Sequence, residues 1–172
     1  EARIDAAGRP RKDPLVLNLG PGPVRLAQAR HALDLDADGT AEAVPLLASP
    51  SAYLALDANG NGRVDDGREL FGPRTGAGLP ELATHDVDGN GWIDEGDPVF
   101  GRLALWVPEA GGPGRLESLG AAGIGAIALA SAATPFALRG TADTDLGQVR
   151  RTGLYLTGDG RAGTLQEIDL TV

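Results

Sequence analysis

Apolar residues in this chain come in short runs, each cut off by a cluster of Gly, Pro, Asp or Asn. Leu15-Val16-Leu17-Asn18-Leu19 has strand character and ends at Pro21-Gly22-Pro23; Val24 to Leu35 supplies the next strands. Ser49-Pro50 has the form of a helix start, Ser49 as N-cap and Pro50 in the first turn, and predicts a helix through Ala52-Tyr53-Leu54-Ala55-Leu56. Arg68 to Phe71 is a second short helix, Leu79 to Thr84 a third, and Pro98 to Leu103 leaves the last polar segment. Beyond it, Leu103-Ala104-Leu105-Trp106-Val107 is strand-like and Glu109 to Gly114 is a turn. Ile124 to Ala130 is apolar, and Gln148 to Thr157 with Gly163 to Val172 flank Gly158-Asp159-Gly160 as a hairpin. The polar stretch 1–13 predicts a flexible lead or linker, and 14–172 a single domain. The expected class is α+β, with central short helices and acidic loops packed on a small, mainly antiparallel sheet.

The polar segments between these elements carry the chemistry. From Asp86 to Asp97, oxygen side chains stand at loop positions 1, 3, 5, 9 and 12 as Asp86, Asp88, Asn90, Asp94 and Asp97. Gly91 is at position 6, Trp92 offers a backbone carbonyl at position 7, and Ile93 is apolar at position 8. Ca²⁺ takes six to eight oxygens, and this EF-hand-like spacing lets one short loop provide most of them. Asp57, Asn59, Asn61, Arg63 at position 7 and Asp65 repeat the pattern, but position 12 is Arg68 and the closing acid arrives one residue later as Glu69. A third segment, Asp34, Asp36, Asp38 and Glu42, matches only in its first half and runs into Ala43-Val44-Pro45 without a closing acid. The bland alternative for each is a polar surface turn, which predicts no fixed spacing.

These loops hold more than half of the 24 acidic residues behind a formal net charge of −9. Clustered carboxylates repel one another, so the cation-free chain is expected to be strained or loose. The charge argues against nucleic acid as a partner. There is no cysteine, hence no disulfide or thiolate site, and no methionine, so the piece is expected to be a fragment, a processed product or an excised module. No run is long enough to span a membrane.

The order Asp13-Pro14-Leu15-Val16-Leu17, the acidic segment 34–42, Leu54 to Gly72, Asp86 to Asp97, and Leu103-Ala104-Leu105-Trp106 resembles the self-processing module of the secreted RTX (iron-regulated, haemolysin-type) proteins of Gram-negative bacteria. The resemblance covers nearly everything from Asp13 onward and is most specific over Leu56 to Gly72, displaced Glu69 included. It implies a secreted or cell-surface, multi-domain parent and a module that folds on meeting extracellular calcium. It also implies autocatalytic cleavage of Asp13-Pro14, with the new aspartyl end joined to a lysine of a protein partner. Two turns depart from the family's acidic pattern, Asn18 to Pro23 and Pro108 to Gly114.

The cleavage chemistry stands on its own terms. An Asp carboxylate can attack its own main-chain carbonyl to form a five-membered anhydride, an intramolecular step of high effective molarity. Other enzyme readings have less support: two histidines, no cysteine and no Gly-x-Ser-x-Gly elbow. Paired carboxylates suit glycoside hydrolysis, but metal already accounts for their spacing. A dockerin-like adhesion module would carry closely matched tandem repeats, whereas these loops differ from one another.

Overall fold

The computed structural model describes residues 3–4, 8 and 10–172. Residues 1–2, 5–7 and 9 of the expected lead lie outside the described residues. Next to them, β1 (Arg3–Ile4) pairs with β2 (Pro10–Lys12), and β2 pairs in turn with β12 (Ala162–Thr171).

The body is one antiparallel sheet. Its further strands are β3 (Leu15–Asn18), β6 (Ser51–Leu56), β7 (Trp92–Asp94), β8 (Leu103–Val107), β9 (Arg115–Ser118), β10 (Ile124–Arg139) and β11 (Asp145–Thr157). They lie in the order β7-β10-β11-β12-β3-β6-β8-β9. A separate hairpin, β4 (Leu26–Leu33) and β5 (Glu42–Leu47), forms a second small sheet. Strand makes up 48% of the chain and helix 9%, so the expected α+β class with central helices is replaced by a mostly β fold. Among the described residues the α-helix is α1 (Gly78–Ala83); Gly67–Glu69 and Phe100–Arg102 are single 3₁₀ turns.

The misread element is Ala52–Leu56, a central strand rather than a helix. Both faces of the sheet are covered at this strand, so the run Ala52–Leu56 is apolar at every position and shows neither a two- nor a 3.6-residue period. Leu15, Leu17, Ala52, Leu54, Leu103, Leu105 and Leu165 build one core with α1, Phe71 and Ile93. Their alternating neighbours Val16, Tyr53, Ala55, Trp106 and Ile168 build the other with Val24, Leu35, Val44 and Val64. Tyr53 and Trp106 lie ring to ring across the β6–β8 pair, with His31 edge-on to Trp106. Ser49 serves β4 instead of capping a helix: its hydroxyl accepts from the Arg25 N–H.

Leu103–Val107 is a strand as its pattern predicts, and Gly158–Gly160 turns the β11–β12 hairpin. No helix among the described residues is long and apolar enough to cross a membrane.

Candidate metal centre

The three acidic loops share one backbone path through their first six residues. In the 57–69 loop, Asp57 Oδ1 accepts from the N–H groups of Gly60 and Asn61 at 2.7 and 3.1 Å, and Oδ2 from Gly62 at 2.8 Å. Asp86 repeats this with Gly89, Asn90 and Gly91 at 2.9, 3.2 and 3.0 Å. Asp34 accepts from Asp38 and Gly39 at 3.0 and 2.8 Å. Positions 4 and 6 have positive φ in every loop: Gly60 and Gly62, Gly89 and Gly91, Ala37 and Gly39. Glycine adopts that region freely, while Ala37 does so against its own Cβ. The position-5 side chain then accepts from the position-7 N–H: Asn61 from Arg63, Asn90 from Trp92, Asp38 from Thr40.

The loops part company in their second halves. Glu69 is buried, and its two oxygens accept from the N–H of Ala58 at 3.0 Å and of Asp65 at 2.9 Å. Asp97, also buried, accepts from Val87 at 2.7 Å and Asp94 at 3.1 Å. In both loops one carboxylate thus ties position 2 to position 9. The glutamate reaches from position 13 with one more methylene, and the aspartate from position 12 with one fewer. That compensation places the displaced Glu69 in the same role as Asp97. A carboxylate has about four lone-pair sites, so two N–H bonds leave it able to face a cation.

The position-9 acids are approached by amides. Asp65 Oδ2 accepts from Asn59 and Asn61 side chains at 2.8 and 2.7 Å, which holds its carboxyl below the ordinary aspartate range. Asp94 Oδ2 accepts from Asn90 at 3.2 Å. Ligand atoms of Asp86, Asp88 and Asp97 all fall within 4.8 Å of one another. The set is hard oxygen at a fixed spacing, which fits Ca²⁺. Arg63 is exposed and Trp92 half-buried, leaving their backbone as the part available to an ion.

The 57–69 and 86–97 loops do not pair with each other through their position-8 residues. Val64 and Ile93, the position-8 residues, lie in different cores, and Ile93 pairs with Ile127 of β10. The 57–69 loop is entered from a strand and left by a 3₁₀ turn, whose Asp66 cap is held ionised by Arg68. The 86–97 loop is entered from α1.

The third loop has Pro45 and Leu46 where an acid would close it. Glu42, at position 9, reaches the Leu35 N–H instead, at 2.7 Å. Asp34, Asp36 and Glu42 still bring ligand atoms within 4.8 Å of one another, but the Lys12 ammonium bonds Asp36 Oδ2. The start of this loop rests on the second one. The Asp34 carbonyl accepts from Gly67 N–H at 2.8 Å, and a Cβ on Gly67 would lie 1.7 Å from the Leu35 carbonyl oxygen.

Asp13-Pro14 occupies the break between β2 and β3, both of which pair with β12. Proline has no N–H to give a ladder, and the Pro14 carbonyl accepts from Ile168 at 3.2 Å. Asp13 is 3% exposed; its Oδ2 takes a bond from Arg150 Nη1 at 3.0 Å. The same guanidinium lies 3.7 Å from the buried carboxylates of Glu167 and Asp169. The Asp13 carbonyl sits over Gly72, where a Cβ would come within 2.0 Å of its oxygen; only a glycine at φ +110° fits. Residues Gly72, Arg150, Glu167 and Asp169 were not anticipated. The signal available was two acids, Glu167 and Asp169, alternating with the apolar Ile168 and Leu170, which predicts a buried cationic partner.

The SPM domain family matches residues 15–171, which is most of the chain. The chain belongs to the SPM domain family. The match starts one residue after Pro14, so it takes in all three acidic loops and leaves the Asp13-Pro14 junction at its edge. No curated protein matches this SPM domain.

Proposed function

We propose that this SPM domain is a calcium-binding, calcium-folded module of a larger secreted RTX-type protein, with one ion held by the 57–69 loop and one by the 86–97 loop. The observation that carries the reading is the shared closure: two loops of different length each end in a buried carboxylate bridging positions 2 and 9. A plain surface turn has no reason to bury that acid, since a buried charge is costly unless a partner compensates it. Asp57, Asn59, Asn61, Asp65 and Glu69 would hold one ion, and Asp86, Asp88, Asn90, Asp94 and Asp97 the other, with the Arg63 and Trp92 carbonyls at position 7. Dissociation constants on the order of 10⁻⁵ to 10⁻³ M suit an extracellular module. Calorimetric titration of the chain and of Asp57→Ala with Asp86→Ala tests this; unchanged uptake in the double variant would refute it.

A second reading, calcium-triggered cleavage of Asp13-Pro14, is favoured by the burial of Asp13 and the close seat of its carbonyl on Gly72. Arg150 would orient the carboxylate. An Asp13 carboxylate oxygen would bond to the Asp13 carbonyl carbon, and the bond to the Pro14 nitrogen would break as that nitrogen takes a proton. The cyclic anhydride would then be opened by water, or by a lysine amine of a protein partner to give an amide. Calcium would act by fixing the 57–69 loop, whose Glu69 lies three residues before Gly72. Intact mass in calcium and in chelator tests it: loss of 1–13 from the native chain, absent in Asp13→Asn, supports cleavage, and an unchanged mass refutes it.

A further inference from the structure

We infer that the ε-ammonium of Lys12, rather than a metal ion, is the cation of the 34–42 loop, and that this loop thereby latches β2 and the Asp13-Pro14 junction to the body of the domain. The first half of the loop has the same backbone as its two counterparts, so it presents the same ring of oxygens. Its second half lacks the buried closing acid. What it has instead is an ammonium arriving from a residue 24 positions earlier, on Asp36 at loop position 3.

Lys12 is the chain's only lysine. Its side chain is 17% exposed and that of Asp36 29%, so the pair is largely removed from water and is less screened than an exposed ion pair. The Asp36 carboxyl is held below its ordinary range, first of all by the bond from Lys12. Asp34 and Asp38 take the same backbone bonds as their counterparts in the other two loops, and Glu42 accepts from Leu35, so the Lys12 ammonium on Asp36 is what sets this loop apart. A tethered cation costs no capture from solution, so this contact does not itself require calcium.

The consequence lies in where Lys12 stands. Its backbone pairs with Leu170 of β12, and its side chain is held by the loop, immediately before Asp13. The loop in turn rests on Gly67, two residues before Glu69. The junction is therefore docked by a contact that needs no metal, next to a loop proposed to take one.

The test uses the full chain in saturating calcium, with native mass for the number of bound ions and amide hydrogen exchange for β2. The proposal expects Asp36→Asn to bind as many calcium ions as wild type. Asp36→Asn and Lys12→Met should each speed exchange at Lys12, Asp13, Leu170 and Thr171 by roughly fivefold, as the loss of one part-buried ion pair allows. Leu105 in β8 should be unaffected, and Lys12→Arg should retain protection. Loss of one calcium ion in Asp36→Asn would overturn the proposal, since metal would then be the cation of this loop. Wild-type exchange in both variants, or acceleration spread equally to β8, would overturn it too. The count also rests on the calcium reading of the other loops. If wild type binds no calcium, that reading fails while the exchange measurements still decide the latch.

Discussion

The 57–69 and 34–42 loops begin alike and end differently, and on the proposed reading the difference separates a metal loop from a structural one. Each opens on an aspartate that gathers the backbone N–H groups of positions 5 and 6. In the first, a buried glutamate at the end of the loop fastens both of its arms. In the second the closing acid is missing and Lys12 stands against Asp36. An acidic loop with the right first half is thus an incomplete specification; what closes it differs between these two loops.

The comparison breaks most severely on removing calcium. Each loop occupied at about one hundred times its dissociation constant adds ~2.7 kcal/mol to stability, so two loops together add about 5. Thermal unfolding with and without chelator should differ accordingly, by well over 10 °C. Next in size are the clamps. Glu69→Ala or Asp97→Ala strands two N–H groups as well as removing a ligand, and each should cost about 2–4 kcal/mol and one bound ion, read by denaturant unfolding and calorimetry. If either variant kept both ions, the clamp would not be part of the site.

Gly67→Ala sharpens the contrast by pushing two loops apart. Its Cβ would collide with the Leu35 carbonyl oxygen, so a loss of about 2–3 kcal/mol is expected, with binding weakened in the 57–69 loop and unchanged in the 86–97 loop. Two-site titration fits on this variant would check that selectivity. The smallest effect concerns Asp159 in the β11–β12 turn, outside the acidic loops. Bonds from Thr157 and then Arg161 hold its carboxyl at about 2, below the usual 3.8. A lowered folded-state value stabilises above the unfolded value and is lost as pH falls through the folded one. Its contribution is therefore whole above pH 3.8 and fades toward pH 2. Asp159→Asn should shift the melting midpoint at neutral pH by less than about 2 °C, because the pair is exposed.

What could be read in the sequence follows from how local each signal is. The Asp and Asn spacing of the acidic loops is set within a dozen residues, and the shared turns follow from it directly. Leu103–Val107 and the hairpin around Gly158 to Gly160 were equally local. Ala52–Leu56 misled because a strand buried on both faces loses its alternation, while Ser49-Pro50 copies a helix start. The surroundings of Asp13 were out of reach for another reason: Arg150, Glu167 and Asp169 come from the far end of the chain, brought in by β11 and β12. Gly67 and Gly72 read as ordinary turn glycines, and only the packed backbone shows what a side chain there would strike.

Counting calcium ions by calorimetric titration of the full chain tests the central claim most directly, beside Asp57→Ala combined with Asp86→Ala. The account predicts two ions bound by the wild-type chain with dissociation constants on the order of 10⁻⁵ to 10⁻³ M, and none by the double variant. No calcium uptake by wild type, or equal uptake by both proteins, would contradict it.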